Sequence, residues 1–462
     1  MVDCTASKII PTIVSAVRDA LALSVPIQQP SARSHPESSA LTLAPAHTDI
    51  QLHPRYNKAL QNLMQEKHAA FRSVEQMQMI KFIIEERQHG LVIMPTGSGK
   101  TLSMVLPSQL ESKGITVVVV PFVALLQDLK RRIAHHKISY CEWTGKNSIN
   151  SLSLAPARIV LAQAENAAKS DFVLWLQALQ TAGRLSRIIL DEAHTILLDH
   201  DWRKSLDLIP HLMQVKDTPI ISLTATLAPF SEAAFFQRLH IPTNTRVIRA
   251  PSTARPNIEY RVTEVDGVAA DVESHVCDIV RSTFLIGSER GIIFCTTIDA
   301  VDRLAALLGY PSFKGPMDER EKSTNFECWI KGHKWIVATS ALAFGVDYSH
   351  VRRVILVECP FEMVSYVQMT GRAGRDGLPS IAEMFYSHAP RLRNIPNISE
   401  DHAGKNAMVN YISAPLPCRR TPISRFCDGQ SVTCPLIPSA ILCDLCIKRS
   451  VRLLVFISHS RH

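Results

Sequence analysis

The sequence predicts an α/β chain in which two parallel-sheet units follow one another and a small cysteine-held segment comes last. Three observations carry that expectation. From Gly90 onward, short β-branched runs alternate with helical stretches, the pattern of strands covered by helices on both faces. The alternation pauses at a Pro- and Ser-bearing stretch, Ala250 to Asn257 (APSTARPN), and then begins again. Five of the 11 cysteines (Cys418, Cys427, Cys434, Cys443 and Cys446) crowd towards the C-terminus.

The first series is expected as strands Leu91 to Met94, Thr116 to Val120, Arg158 to Ala162, Arg187 to Leu190 and Pro219 to Leu223. Helices are expected at Lys100 to Glu111, Val123 to Ala134 and Asn166 to Leu179. Ahead of them, Leu60, Leu63, Met64, Val74, Met77, Ile80, Phe82 and Ile84 recur at three- and four-residue steps, a helical lead-in from Tyr56 to Glu86. The second series reads as strands Gly291 to Cys295, Trp335 to Thr339, Val351 to Val357 and Ile381 to Tyr386, with helices Ile298 to Leu308 and Glu362 to Met369. The architecture repeats without a repeat in sequence. The expected divisions are a leader at 1–52, a first unit at 53–249, a linker at 250–257, a second unit at 258–410, the cysteine segment at 411–450 and a tail at 451–462. The leader is rich in Ser, Pro and Ala, with an amphipathic helix at Ile9 to Leu23. The apolar runs Val117 to Val120 and Leu453 to Ile457 both read as buried strands.

At 462 residues the chain has room for two to three domains. Its 46% hydrophobic and 20% charged content excludes the disordered class. A net charge of +8 favours a polyanionic partner. No apolar run reaches the roughly 20 residues of a membrane span, and the N-terminus lacks a secretory signal pattern. The chain therefore reads as intracellular, with its thiols reduced and either free or bound to metal.

The first chemical motif is Leu91 to Thr101, LVIMPTGSGKT. A strand runs into a turn, and a helix opens from Lys100 and Thr101. Thr96, Gly97, Ser98 and Gly99 would then point backbone N–H groups at one spot, a cradle for phosphate. Lys100 would reach the β- and γ-phosphates, and the Thr101 hydroxyl would ligate Mg²⁺. Met94 stands where the strict pattern has glycine. Next, Arg187 to His194 (RIILDEAH) is a strand ending in two carboxylates. Asp191 would share the metal with Thr101, and Glu192 would polarise a water. The plain alternatives are a Gly-Lys-Thr that merely starts a helix and an acidic helix start. Last, Cys418, Cys434, Cys443 and Cys446 form C-x15-C-x8-C-x2-C, four thiolates suited to tetrahedral Zn²⁺. Cys427 is the alternative to Cys434.

MPTGSGKT, DEAH and Leu223 to Thr226 (LTAT) together resemble the first motor domain of a superfamily 2 helicase. Phe71, Arg72 and Gln76 in FRSVEQMQMI, the ARPNI stretch and Gln368 to Leu378 (QMTGRAGRDGL) narrow the resemblance to the RecQ type, over about residues 70–450. FRSVEQ, DHDWR and ALAFGVD resemble in wording the RecQ-like proteins of fungi. The resemblance implies two tandem RecA-like motor domains followed by a zinc-binding subdomain, and an ATP-dependent 3′–5′ DNA helicase active on single-stranded and tailed duplex DNA. It also implies roles in DNA repair and recombination, a nuclear location and no membrane association. Arg72 and Gln76 would read adenine, although the family more often has Gln where Glu75 sits. Gln368, Arg372 and Arg375 would meet the γ-phosphate from the second domain, and His194 would relay the nucleotide state to Thr224 and Thr226 on the DNA side. Trp202 and Arg203, within Asp199 to Arg203 (DHDWR), stand in place of an aromatic-rich DNA-sensing loop. Thr339 and Ser340 would track the DNA backbone. Lys314 stands where the family usually has His. Arg419 and Arg420 follow Cys418 as in the family's zinc subdomain. An RNA-directed motor, a translocase that does not unwind, a decayed copy that binds without turnover and a nucleotide switch are the alternatives. No winged-helix domain is expected after Cys446.

Overall fold

Two parallel sheets carry the chain in the computed structural model, which describes residues 53–145, 157–198, 204–343, 348–387, 402–413 and 415–459. The leader, the loop bearing Trp202 and Arg203, and residues 344–347 lie outside the described residues. The first unit contributes β1 (Gly90–Ile93), β2 (Ile115–Val120), β3 (Tyr140–Trp143), β4 (Ile159–Gln163), β5 (Leu185–Leu190), β6 (Ile220–Thr224) and β7 (Arg246–Arg249). They stand in the order β3-β4-β2-β5-β6-β1-β7. The second unit contributes β8 (Ile258–Val265), β9 (Arg290–Cys295), β10 (Ser312–Phe313), β11 (Trp335–Ala338), β12 (Val351–Val357) and β13 (Ser380–Ser387). Their order is β10-β11-β9-β12-β13-β8. Every strand pair in both sheets is parallel.

Every residue of β1, β2 and β9 is buried, because helices cover both faces of a parallel sheet. Those strands are the ones an apolar run announces. The margins β3 and β8 are mixed in burial. They carry no continuous apolar signal, and with β7 and the two-residue β10 they were not expected from sequence. Two expected helices are interrupted. Lys100 to Glu111 becomes Leu102–Val105 and Pro107–Leu110, since Pro107 has no N–H to donate back into the helix. Asn166 to Leu179 becomes Ala164–Ala167 and Ser170–Thr181, divided at Lys169, whose ψ of 143° is extended.

On one face of the first sheet, helices Pro54–Met64 and Val74–Glu85 bury Tyr56, Leu60, Met79 and Phe82 against Val92 and Val118. On the other, Ser170–Thr181 sets Phe172 4.9 Å from Trp143, edge to face. The cysteine segment has no core of its own. Cys418, Cys434, Cys443, Cys446 and Tyr411 share one apolar cluster with Ile258, Tyr260, Met363 and Tyr366 of the second unit. The run Leu453 to Ile457 is not a strand. It lies in helix Asp444–His459, which starts inside the CxxC and continues into the expected tail. An apolar run of that length does not by itself distinguish strand from helix.

The stretch 250–257 is bonded rather than loose. Ala250 N donates to Ile93 O (2.8 Å), Thr253 N to Asp428 Oδ1 (3.1 Å) and Asn257 Nδ2 to Gly374 O (2.8 Å).

Packing is close between β9 and β11, where a Cβ added at Gly291 would stand 2.2 Å from the Trp335 ring. Gly291→Ala should therefore cost about 1–3 kcal/mol through overpacking. We expect a lower denaturation midpoint together with a changed near-ultraviolet Trp signal. An unchanged midpoint would show that the ring moves without cost.

Candidate functional site

All strands of a parallel sheet end on one edge, so the loops that leave them meet. β1 ends in the Gly-rich loop, β5 ends at Asp191, and β6 stands between them with Thr224 at its end. Gly97 (φ 80°) and Gly99 (φ 84°) adopt the left-handed backbone that only glycine takes readily. Lys100 Nζ donates to Met94 O (2.9 Å) and Pro95 O (3.2 Å), folding the ammonium back across the loop. Thr96 and Thr101 border the same cavity, and Ser98 N closes the turn onto Pro95 O.

Gln76 and Arg72 both line this cavity, and Gln76 is also tied to the loop. Its Nε2 donates to Gly99 O (3.3 Å) and its Oε1 accepts from Arg72 N (2.8 Å), so both ends of the amide are used on backbone. Gln76 props the loop from below, and Arg72 Nη1 reaches Gly97 O from the side (2.9 Å). Neither contact is visible in an amphipathic pattern.

Glu192 has φ 44°, a left-handed backbone at a residue with a side chain. Thr195 holds it there by donating N–H (3.0 Å) and Oγ1 (2.9 Å) to Glu192 O. Asp191 Oδ1 accepts from Glu192 N (3.0 Å). Buried His194 joins the two units: Gln368 Nε2 donates to its Nε2 (2.9 Å), while Nδ1 faces Thr224 Oγ1 (2.9 Å). With the amide as donor, the imidazole proton lies on Nδ1. Thr226 N donates to Thr224 Oγ1 (3.2 Å). Thr224 and Thr226 are 0% and 2% exposed, which corrects the expectation of side chains that touch DNA. They form an inner layer beneath the cleft.

From the second unit, Arg372 donates to Ala343 O, and an added Cβ at Gly97 would stand 3.9 Å from Arg375 O. The units enclose a cavity of about 550 Å³. Arg72, Lys100, Arg131, Arg132, Arg372 and Arg375 line it against Asp128, Asp191 and Glu192, six cations to three carboxylates. His135 and His136, to which the sequence assigned no role, also line it. Thr339 and Ser340 stand apart at the end of β11, with Thr339 N bonded to Phe313 O (3.0 Å). Arg255, read from sequence only as part of a link, inserts between Thr96 and Gly371. Lys314, in place of the family's His, pairs with Asp302 (2.6 Å).

Sγ atoms of Cys418, Cys434, Cys443 and Cys446 all lie within 4.8 Å of one another and are buried. The Cys418–Cys434 and Cys418–Cys443 separations are 3.4 and 3.7 Å. A Zn–S bond of about 2.3 Å in a tetrahedron requires sulfurs roughly 3.8 Å apart, so the four residues fit one ion. Cys427 is excluded from the set. It is buried separately, with its thiol pushed up to about 12 by burial and its carbonyl bonded to Arg249 Nη1 (2.9 Å).

Burial lowers the Lys100 ammonium, an effect that Glu192 and Asp191 oppose. Burial also pushes the Asp191 carboxyl up to about 7, with Glu192 adding to the rise and Lys100 opposing it. An unfolded Asp titrates near 3.9, so above about pH 4 the folded chain holds this proton more tightly. The group's stabilising contribution is complete below that pH and is lost as pH rises to about 7. Asp191→Asn should therefore gain in melting temperature relative to the wild type, without nucleotide, between about pH 5 and 7.5. A difference independent of pH would contradict the shifted carboxyl.

Residues 73–234 match the DEAD/DEAH box helicase family and residues 274–377 the helicase conserved C-terminal domain. The Arabidopsis thaliana ATP-dependent DNA helicase Q-like 2 is 30% identical over 376 residues, 75% of this chain and 52% of that protein. The Bacillus subtilis ATP-dependent DNA helicase RecQ is 28% identical over 68% of this chain and 53% of its own length. The chain thus spans about half the length of these relatives. The fold is similar to that of Saccharomyces cerevisiae Dbp5 bound to RNA and ADP BeF3, with a TM-score of 0.58 at 15% identity over 80% of this chain and 94% of that one. With a four-cysteine set able to hold a metal behind two matched motor domains, the chain belongs to the DEAD/DEAH-box helicases of superfamily 2, in their RecQ-like group.

Proposed function

We propose that this chain is an ATP-dependent 3′–5′ DNA helicase of RecQ type. The observation that carries the reading is the cavity between the units, lined by three more cations than carboxylates. That excess suits a triphosphate, and each unit supplies part of it. The Gly-rich loop offers backbone N–H groups, and Lys100 would leave its two carbonyl partners for the β- and γ-oxygens. Asp191 and Thr101 would hold Mg²⁺, which draws charge from the phosphoryl oxygens. Their fit is chemical, a hydroxyl and a half-buried carboxylate that a cation would relieve. Glu192, fixed by its backbone, would orient the attacking water, and Arg372 and Arg375 would stabilise the transferring group from the far side. Gln368 and His194 make the cleft sensitive to closure, because their bond exists only when the units meet. Thr339 and Ser340 would follow the backbone of single-stranded or tailed duplex DNA. An RNA-directed motor is the second reading, and the RNA-bound Dbp5 shares its fold with this chain.

ATP turnover should rise with single-stranded DNA, fall to background in Lys100→Ala and fall at least about 100-fold in Glu192→Gln. A 3′-tailed duplex should be displaced and a 5′-tailed one left intact. Greater stimulation by RNA would favour the second reading, and turnover without strand displacement would make the chain a translocase.

We propose Zn²⁺ for the four-cysteine set. The holoprotein should carry one equivalent, Cys443→Ser should lose it, and Cys427→Ser should keep it. Loss of metal in Cys427→Ser alone would reverse the assignment. Because the cysteines share the second unit's core, stripping the metal should lower that unit's thermal stability.

A further inference from the structure

Arg255 occupies a position that the proposed chemistry does not use. From the stretch between the units, its Nη1 reaches Thr96 Oγ1 (3.3 Å) and Gly371 O (3.2 Å), and its Nη2 reaches Ala373 O (3.0 Å) and Gly374 O (2.7 Å). One guanidinium thus bonds the phosphate loop to the backbone that bears Arg372 and Arg375. All of these partners are neutral oxygens, which the planar fork of an arginine meets at fixed angles and a lysine does not. The two segments touch closely here, for a Cβ at Gly371 would stand 2.7 Å from Thr96 Oγ1.

Arg255 is itself held from behind. Arg420, 2% exposed, donates to Arg255 O (2.9 Å), Ile258 O (2.7 Å) and Ile441 O (3.2 Å), and its Nε donates to Cys434 Sγ (3.3 Å). A metal held by the four sulfurs would fix the position of Cys434 Sγ, and with it the guanidinium that donates to it. The route from the cysteine set to the phosphate loop is therefore continuous: Cys434, Arg420, the backbone of residue 255, its guanidinium, Thr96.

We propose that Arg255 is the positioning residue that locks the phosphate loop to the second motor unit, and that Arg420 makes this lock depend on metal at the cysteine set. The functional consequence rests on the reading of the cleft as the ATP site. The lock itself does not.

Hydrogen exchange on the nucleotide-free holoprotein tests the lock directly. Arg255→Ala should raise exchange about fivefold or more at residues 96–100 and 371–375 and leave β2 unchanged. Arg420→Lys, and Zn²⁺ removal by a chelator, should give the same two-segment pattern. In ATP turnover, Arg255→Ala should lose about tenfold or more in kcat with KM altered less than about threefold, the mark of a misplaced rather than a missing binding group. If Arg255→Ala also exposes β2, Arg255→Lys decides, since it keeps the charge and loses the fork. It should loosen the two segments only. Wild-type protection at both segments in Arg255→Lys, or in the metal-free protein, overturns the proposal. A wild type without ATP turnover would instead defeat the proposed function, and the exchange result would still judge the lock.

Discussion

Cations gathered where the two units meet are the constraint on which their arrangement depends. Arg372 is buried, Lys100 and Arg255 are half-buried, and six cations line the cavity against three carboxylates. Charges so placed must be met by carbonyls, by carboxylates or by an anion from outside. Main-chain oxygens meet most of them. Met94 and Pro95 accept from Lys100, Ala343 from Arg372, and Gly371, Ala373 and Gly374 from Arg255. Those oxygens come from the loop after β1, the turn after β11 and the segment between helix Met363–Thr370 and β13, where backbone groups lie outside the ladder and need partners. The arrangement costs stability in the free protein, as the raised Asp191 carboxyl shows, and it prepares a site that a polyphosphate would complete.

The cleft and the cysteine set are parts of one packed body. Beyond the Arg420 route, Arg419 pairs with Asp444 inside the CxxC (3.0 Å) and lies 5.7 Å from the Tyr411 ring. Tyr411 shares a hydroxyl bond with Tyr366 (2.7 Å), on helix Met363–Thr370, which also carries Gln368. Two separate lines thus run from the cysteines to residues that meet the first unit. A metal there would organise the cleft as well as the segment that holds it.

Much of the core was legible in the sequence. β1, β2, β4, β5, β6, β9, β11, β12 and β13 lie where apolar runs placed them, within two residues at each end. Helix Ile298–Leu308 has the expected bounds, set by Thr297 as cap and Gly309 beyond it. The strands without such a signal are β3, β7, β8 and β10. A strand with one side uncovered, or with only two residues, has no reason to be apolar throughout. Gln76 and Arg255 show a second kind of gap. Both stand within stretches that the sequence singled out, yet their partners are 23 and more than 100 residues away, and no local pattern records such pairings.

By itself the sequence determined the phosphate loop, the carboxylates that follow β5, the paired arginines of the second unit and the existence of a four-cysteine set, because each is a short motif whose chemistry depends on near neighbours. Tertiary structure alone decided which cysteine completes that set. Cys427 and Cys434 are equivalent as letters, and only Cys434 is carried by the chain to within reach of the other three. It also decided that Gln76, at the cavity wall, bonds to the phosphate loop, that Thr224 and Thr226 lie beneath the cleft, and that Arg255 bridges the units. The physical reason is the same in each case. A side chain's type sets which bonds it can make, and the packing of distant segments sets which of those bonds are within reach.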